Sequence, residues 1–192
     1  GNQEPDDALS LEGRRLWVHI ADVAALVPPD SPADLEARAR AATLFIPEGS
    51  VPMLPWAAIE RLGLGLADVS PALSFGLDLE GDGGVAGLEV VPSWVRVTRL
   101  TYRQAEAQLE EAHLADLYRV ACANQARRMA QGAFPLDLPE VKIRLHGDLI
   151  RIEPIPPLRS RDLVTEAMLM AGEAVARFAR ERDIPLPFTT QD

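Results

Sequence analysis

The chain of 192 residues has a single cysteine, Cys122, and that scarcity excludes two kinds of site. Neither an intramolecular disulfide nor a cysteine-ligated zinc site can form. A protein without disulfides fits the reducing cytoplasm, and we expect that location. Cys122 falls inside a helical pattern, where a thiol is typically a small core residue.

Long apolar runs are absent as well. No stretch approaches the roughly 20 apolar residues of a transmembrane helix, and the polar, acidic N-terminus does not resemble a secretory signal. We therefore expect no association with membranes. The hydrophobic content of 47% suits one globular domain with its own core, which we expect to be monomeric.

Basic residues are fewer than acidic ones, and the formal net charge is −10. A nucleic-acid binder usually carries a basic footprint, so this charge taken alone argues against that class. Two conditions would reconcile it with a nucleic-acid substrate. Bound Mg²⁺ offsets part of an acidic cluster, and basic binding modules can lie in other parts of a longer protein.

Three carboxylates, those of Glu4, Asp6 and Asp7, surround a proline near the N-terminus, directly before a hydrophobic strand. Apolar runs at 8–11 and 16–20 flank "EGRR" and predict a β-hairpin. Because the chain reverses near residues 13–14, Asp22 should return to the level of Asp6. The hairpin would then add a fourth carboxylate to the cluster.

The rest of the chain alternates helical patterns with strand patterns. Together they predict an α/β fold of the α+β kind, with a mixed, largely antiparallel sheet and packed helices. The predicted helices span 30–45 with Ser31 as N-cap, 56–63, a stretch opened by a capping box of Thr101 and Gln104, 114–132, and 160–183 with Ser160 as N-cap. The predicted strands span 72–80, 86–98 and the arms of a hairpin over 140–154, whereas 47–55 is predicted to be a loop.

The acidic opening allows two interpretations. Clustered Asp and Glu side chains favour hard cations such as Mg²⁺, which polarise a phosphate and lower the pKa of bound water. Paired aspartates are also common in solvated turns. On spacing alone, the solvated turn is the commoner of the two.

Other chemistries have weaker support. The three histidines are scattered, so no Ser-His-Asp arrangement can be argued. His19 lies in a predicted strand, where a histidine with satisfied hydrogen bonds is expected, and His113 and His146 fall at surface and turn positions. "GDGG" lies between two strands and opens no helix, so it predicts a hairpin turn and not a phosphate-binding loop.

Five further side chains deserve both a functional and a structural interpretation. Phe45 follows a helix and either faces a cleft or joins the core. Tyr102 lies in the first turn of a capped helix, with its hydroxyl directed outward or its ring half-buried on the sheet. Glu166 is expected to be solvated. Arg159 and Arg161 precede the long helix and could meet phosphates, although such pairs are usually surface groups.

Several segments taken together resemble the catalytic RNB domain of the ribonuclease II family. The Asp-Asp-Ala-Leu-Ser block followed by His-Ile-Ala-Asp-Val is the most specific part of the resemblance, which covers nearly the whole chain. The matching segments occur in the family's order and approximate spacing: "EPDDALSLE", "LWVHIADVAALVPPDSPADLEARARAATLFIP", "VPMLP", "RLTY" and "LVTEAMLMAGEA".

The resemblance implies a fold and an activity. It implies an α/β catalytic domain with a channel for single-stranded RNA. The implied reaction is Mg²⁺-dependent, processive hydrolysis from the 3′ end to nucleoside 5′-monophosphates, with Mn²⁺ as a possible substitute. RNA is accordingly the expected partner.

The resemblance also implies roles for individual residues. Asp6 and Asp7 match the catalytic, metal-binding aspartate pair, and Glu4 occupies a metal-binding position where Asp is usual. RNA-binding roles are implied for three residues: Phe45 stands where a tyrosine often stacks on a base, and Tyr102 and Glu166 match positions that hold the terminal nucleotides. Asp22 is expected to support the site from outside it, on the hairpin argument alone.

The chain departs from the family pattern at both ends. The upstream aspartate of the motif would precede Gly1, and neither the family's arginine nor an SPIRRY-like stretch occurs before Asp192. We therefore expect residues 1–192 to be the N-terminal and central part of an RNB domain. The domain's C-terminal part and the flanking cold-shock-like and S1-type barrels (OB folds) are not in this sequence.

Two other functional classes remain open. One is an RNB-like module that has lost catalysis and only binds RNA or a protein. Glu4 in place of Asp mildly favours it, and retention of Asp6 and Asp7 argues against it. The other is a Ca²⁺-stabilised domain without a nucleic-acid role.

Overall fold

The computed structural model describes residues 4–134, 138, 140–147 and 149–188. The α-helices are α1 (Pro32–Arg40), α2 (Trp56–Leu62), α3 (Tyr102–Ala107), α4 (Ala112–Ala130) and α5 (Arg159–Glu181). The strands are β1 (Asp7–Glu12), β2 (Arg15–Ala21), β3 (Leu44–Ile46), β4 (Gly49–Val51), β5 (Ser70–Leu79), β6 (Val85–Val95), β7 (Val141–His146) and β8 (Leu149–Pro154).

The central sheet has four antiparallel strands in the order β1-β2-β5-β6. The predicted opening hairpin is confirmed, since β1 pairs with β2 and the turn between them contains Gly13 at φ +60°. Glycine suits that left-handed conformation because it has no Cβ to clash. The pairing brings the end of β2 back to the start of β1, where the amide of Ala21 donates to the carbonyl of Asp6 at 2.8 Å.

One face of this sheet forms the core with α4 and α5. Leu16, Val18 and Leu77 point from the strands toward Leu117 of α4 and Met170 of α5. Alternation along each strand places the neighbouring residues on the opposite face. That face carries hydrogen-bonded polar side chains, and the predicted satisfied histidine is found there: His19 pairs with Ser74 through Nδ1 at 2.7 Å and with Ser10 through Nε2 at 3.1 Å.

The helix predicted over 30–45 is shorter than expected. Ser31 caps it as predicted, by accepting from the amide of Asp34. The helix ends at Arg40 because Ala41 takes φ +63°, and residues 44–46 become β3. The expectation that 47–55 is only a loop is wrong in part, since Gly49–Val51 forms β4 and pairs with β3.

The N-cap predicted for the long helix is also wrong. The N-cap position of α5 belongs to Leu158, and Ser160 lies inside the first turn. The hydroxyl of Ser160 donates to the carbonyl of Tyr102 at 2.8 Å, and its amide donates to the carboxylate of Glu106 at 2.9 Å. Ser160 therefore ties α5 to α3, whose predicted capping box of Thr101 and Gln104 is confirmed.

Cys122 is exposed on α4, so the expectation that it is a core residue is wrong. The inward face of α4 is formed by Leu117, Ala121 and Asn124, and Cys122 is turned away from it. None of the helices in the described ranges combines the length and the apolarity that crossing a membrane would need.

Candidate active site

Asp6 and Asp7 lie where the chain enters the sheet. Asp7 is the first residue of β1, opposite Ile20 of β2, and Asp6 precedes it. Asp6 is exposed, whereas Asp7 is half-buried. Burial raises the pKa of Asp7, and the charge of Asp6 and a hydrogen bond between the two side chains raise it further, against a smaller lowering by its own backbone amide. The two carboxylates are therefore close enough to repel one another.

Glu4 and Asp22 flank this pair, but each has a structural partner. The carboxylate of Glu4 accepts from the hydroxyl of Thr43 at 2.8 Å. The carboxylate of Asp22 accepts from the amide of Ala25 at 3.2 Å and caps the short 3₁₀ turn Val23–Ala25. The backbone of Asp22 does return to the end of the sheet where Asp6 lies, as the hairpin argument predicts.

The donor set at this end of the sheet suits a hard cation held by two carboxylates. Over the described ranges, no group of three or more His, Cys, Asp or Glu side chains is arranged to hold a metal. Mg²⁺ is usually bound by one or two carboxylates, with water and substrate phosphates completing its coordination. Asp6 and Asp7 fit this pattern, and a cation between them would relieve the repulsion that raises the pKa of Asp7.

Tyr102, at the start of α3, lies within electrostatic range of the aspartate pair. It is half-exposed, at 42%. Burial raises its pKa, the negative charges of Asp7 and Asp6 add to the rise, and the positive charge of Arg161 opposes it. The guanidinium carbon of Arg161 lies 4.8 Å from the centre of the tyrosine ring. Tyr102 is therefore subject both to the negative charges of the aspartate pair and to the positive charge of Arg161.

Phe45 and Glu166 occupy two contrasting positions. Phe45 is 81% exposed on the β3–β4 ribbon, so the core interpretation is wrong. Glu166 is only 5% exposed on α5, so the solvated interpretation is wrong as well. Its carboxylate oxygens accept from Asn124 Nδ2 and Arg128 Nη1, each at 2.7 Å.

Sequence reasoning missed Asn124 and Arg128. Both lie on α4 and are four residues apart, so they share one helix face, and Asn124 is completely buried. The available signal was a polar pair spaced by one helical turn on an inward face. Its partner could not be identified, because Glu166 lies 42 residues away from Asn124 in the chain.

Comparisons with known proteins agree with this architecture. The family model described as the RNB domain matches residues 1–192. An uncharacterized ribonuclease of Synechocystis sp. is 38% identical, over 98% of this chain and 30% of that protein. The chloroplastic/mitochondrial ribonuclease II of Arabidopsis thaliana is 36% identical, over 98% of this chain and 26% of that protein. The chain therefore spans less than a third of the length of these relatives.

Solved structures show the same fold. RNase R of Mycoplasma genitalium, in complex with ribose-methylated single-stranded RNA, matches with a TM-score of 0.89 and 22% identity, over 97% of this chain and 32% of that chain. Yeast Ssd1, described as a pseudonuclease, matches with a TM-score of 0.72 and 20% identity, over 95% of this chain and 24% of that chain. The predicted α+β architecture with a largely antiparallel sheet is confirmed.

Proposed function

The chain belongs to the RNB domain family, and from that premise we propose that the protein carrying it is a hydrolytic exoribonuclease. The observation that carries the proposal is the Asp6–Asp7 pair at the mouth of β1, with Tyr102 beside it. The substrate is single-stranded RNA, degraded processively from its 3′ end to nucleoside 5′-monophosphates. The names of the relatives support the reaction class, since they include ribonuclease II and ribonuclease R.

Mg²⁺ is the proposed cofactor, with Mn²⁺ as a substitute. Asp6 and Asp7 hold it, and Glu4 adds a carboxylate on the same stretch of chain. When bound, the ion supplies a polarised phosphate and a more acidic water. Asp22 has the smaller role of fixing the turn after β2, which keeps the end of the hairpin in register with Asp6.

The other site residues are proposed to hold the RNA. Phe45, with its exposed ring, stacks on a base near the 3′ end, because every base offers a π-face to an aromatic side chain. Tyr102 and Glu166 position the terminal nucleotide and its 2′-hydroxyl, the group that distinguishes RNA from DNA. Asn124 and Arg128 fix the carboxylate of Glu166 between α4 and α5.

The proposal also covers the other domains of the protein, its oligomeric state and its location. We place the rest of the catalytic domain, and the basic β-barrel modules that grip RNA, in other parts of a longer protein. The short span of the chain relative to its relatives supports this, as does its net charge of −10. The protein is proposed to be a cytoplasmic monomer.

A second candidate is an RNB-like protein that binds RNA but does not cleave it. The fold likeness to a protein described as a pseudonuclease favours it, and so does Glu4 at a position where the family usually has Asp. The retained Asp6–Asp7 pair favours the nuclease, because an inactive binder has no use for two carboxylates that repel both each other and RNA.

The test is a degradation assay with the full-length protein encoded by the gene. A 5′-labelled single-stranded RNA should be shortened in Mg²⁺, and Asp6→Asn should reduce the rate by at least about 100-fold, as loss of a key electrostatic group does. Asp116→Asn is the matched control, because Asp116 pairs on the surface of α4 with Arg119. Undiminished activity of Asp6→Asn would overturn the assignment, and RNA binding without cleavage by the unaltered protein would establish the second candidate.

A further inference from the structure

Arg161 lies in the first turn of α5 with its guanidinium over the ring of Tyr102. The guanidinium carbon is 4.8 Å from the ring centre, within the range of a cation–π contact. Its side chain is 36% exposed. The tyrosine ring thus holds the guanidinium of Arg161 in place while leaving part of the side chain open to solvent.

The donors of Arg161 are largely uncommitted. Its ion pair in the described part of the chain is with Glu140, at 3.6 Å, and the side chain of Glu140 is 69% exposed. That separation exceeds a hydrogen bond. The Nε atom of Arg161 is buried and has no hydrogen-bond partner among the described residues. Because the side chain as a whole is 36% exposed, an anion that arrives from solution can reach the part of the guanidinium that the protein leaves open.

Arg159, two residues earlier on the same helix, shows the contrast. Its Nε donates to the carboxylate of Glu106 at 2.9 Å, and it also lies 3.5 Å from a carboxylate oxygen of Glu110. The amide of Ser160 takes the other oxygen of Glu106. The donors of Arg159 and the amide of Ser160 are therefore already engaged by acidic side chains, unlike the guanidinium of Arg161.

The charges around Arg161 indicate which kind of anion would gain binding affinity from its guanidinium. Asp6 and Asp7 repel any polyanion that approaches them, and the chain as a whole carries −10. Tyr102 lies within electrostatic range of Asp6, Asp7 and Arg161, and the guanidinium of Arg161 lies over its ring. A guanidinium offers phosphate a planar, bidentate set of donors, which a backbone phosphodiester can accept.

We propose that Arg161, seated on the ring of Tyr102, binds a backbone phosphate of the RNA strand next to the Asp6–Asp7 pair. This inference rests on the proposed exoribonuclease function. It assigns Arg161 a part in substrate binding: it offsets the repulsion from the acidic pair and fixes the strand beside it.

The test measures binding apart from cleavage, with the full-length protein in EDTA. The probe is a short 5′-fluorescein-labelled single-stranded RNA, and its anisotropy is followed between about 50 and 200 mM KCl. Arg161→Gln should weaken binding about tenfold at low salt, which corresponds to about 1.4 kcal/mol. The slope of log Kd against log salt should fall by about 0.7, because one phosphate contact is lost.

Two further variants show whether the effect belongs to the phosphate contact. Arg161→Lys keeps the charge, so it should keep the salt slope and recover part of the affinity. Arg159→Gln should leave both affinity and slope unchanged. An unaltered slope in Arg161→Gln, or an equal loss in Arg159→Gln, overturns the inference. Loss of turnover in Asp6→Asn alongside normal binding by Arg161→Gln would leave the nuclease proposal standing and refute this one alone.

Discussion

At the scale of single residues, several half-buried or buried polar side chains of this fold are held by specific partners. His19 illustrates it on the sheet face opposite the core, between the hydroxyls of Ser10 and Ser74. Burial lowers the pKa of His19, against a smaller rise caused by the charge of Glu12. The native state therefore favours the neutral imidazole, which can donate from one ring nitrogen and accept at the other.

This preference predicts a pH dependence of stability. The unfolded chain binds a proton at His19 near the ordinary pKa of about 6.5, whereas the folded chain binds it only at lower pH. Stability should therefore fall as the pH drops from about 7.5 to 5.5. Urea unfolding at both pH values measures it, and His19→Gln should flatten the dependence. An equally steep fall in His19→Gln would contradict the assignment to this residue.

Glu166 shows the limit of residue-scale reasoning from sequence. Its place in the first turn or two of the predicted helix suggests a solvated side chain. The structure instead buries it between α4 and α5 and supplies Asn124 and Arg128 as partners. A buried carboxylate requires such partners, and they come from a helix that is remote in sequence.

At the scale of elements, the turn between β5 and β6 controls how closely the sheet approaches α4. Gly83 takes φ +88° there, and a Cβ on it would lie 2.5 Å from the carbonyl carbon of Ala123 in α4. Backbone atoms cannot move aside as a flexible side chain can. The "GDGG" stretch is thus the predicted hairpin turn, and it is also a packing contact that the sequence pattern did not reveal.

Gly83→Ala should consequently destabilise the protein. The left-handed φ and the overlap with α4 together should cost about 3 kcal/mol, or about 6–12 °C in melting temperature for a chain of this size. Gly81→Ala is the matched control, because a Cβ there meets nothing within 4 Å. Thermal melts of the two variants measure the difference, and equal stabilities would mean that this contact is absent in solution.

At the scale of the whole molecule, acidic charge dominates. The net charge of −10 opposes RNA binding, and the Asp6–Asp7 pair concentrates part of that charge at the candidate site. A bound cation would offset it locally, and Arg161 adds a positive charge over the ring of Tyr102. The site therefore depends on positive groups that balance its acidic charge, namely Arg161 on this chain and a cation bound from solution.

A cation that relieves this repulsion should stabilise the chain of 192 residues by itself. When Mg²⁺ exceeds its dissociation constant about tenfold, the gain is about 1.4 kcal/mol, or about 3–6 °C in melting temperature. Melts in Mg²⁺, Ca²⁺ and EDTA measure it. Asp7→Asn should abolish the shift and Asp116→Asn should retain it. A Mg²⁺ shift that survives in Asp7→Asn would place the ion elsewhere, and a shift with Ca²⁺ alone would favour a Ca²⁺-stabilised domain without a nucleic-acid role. We expect this chain alone to show no RNA turnover.

The sequence by itself determined the elements whose signals are local. Alternation set the strands of the central sheet, and the caps at Ser31 and Thr101 marked helix starts, because each depends on residues within one turn of one another. The order of the motifs likewise identified the family before any contact was known. The predicted helix over 30–45 failed at Ala41, where the left-handed backbone and the pairing of β3 with β4 override helical propensity.

Only the tertiary structure decided what each site residue contacts. In the structure, Ser160 does not cap its helix but hydrogen-bonds to α3. Cys122 and Phe45 are exposed and Glu166 is buried. The guanidinium of Arg161 lies over the ring of Tyr102. The reason is that burial and partnership depend on residues distant in the chain, which a local pattern does not contain. The Asp6–Asp7 pair depends on both the sequence and the fold. The two carboxylates are neighbours because they are adjacent in sequence, and the fold brings Tyr102 and Arg161 within electrostatic range of one another and of the pair.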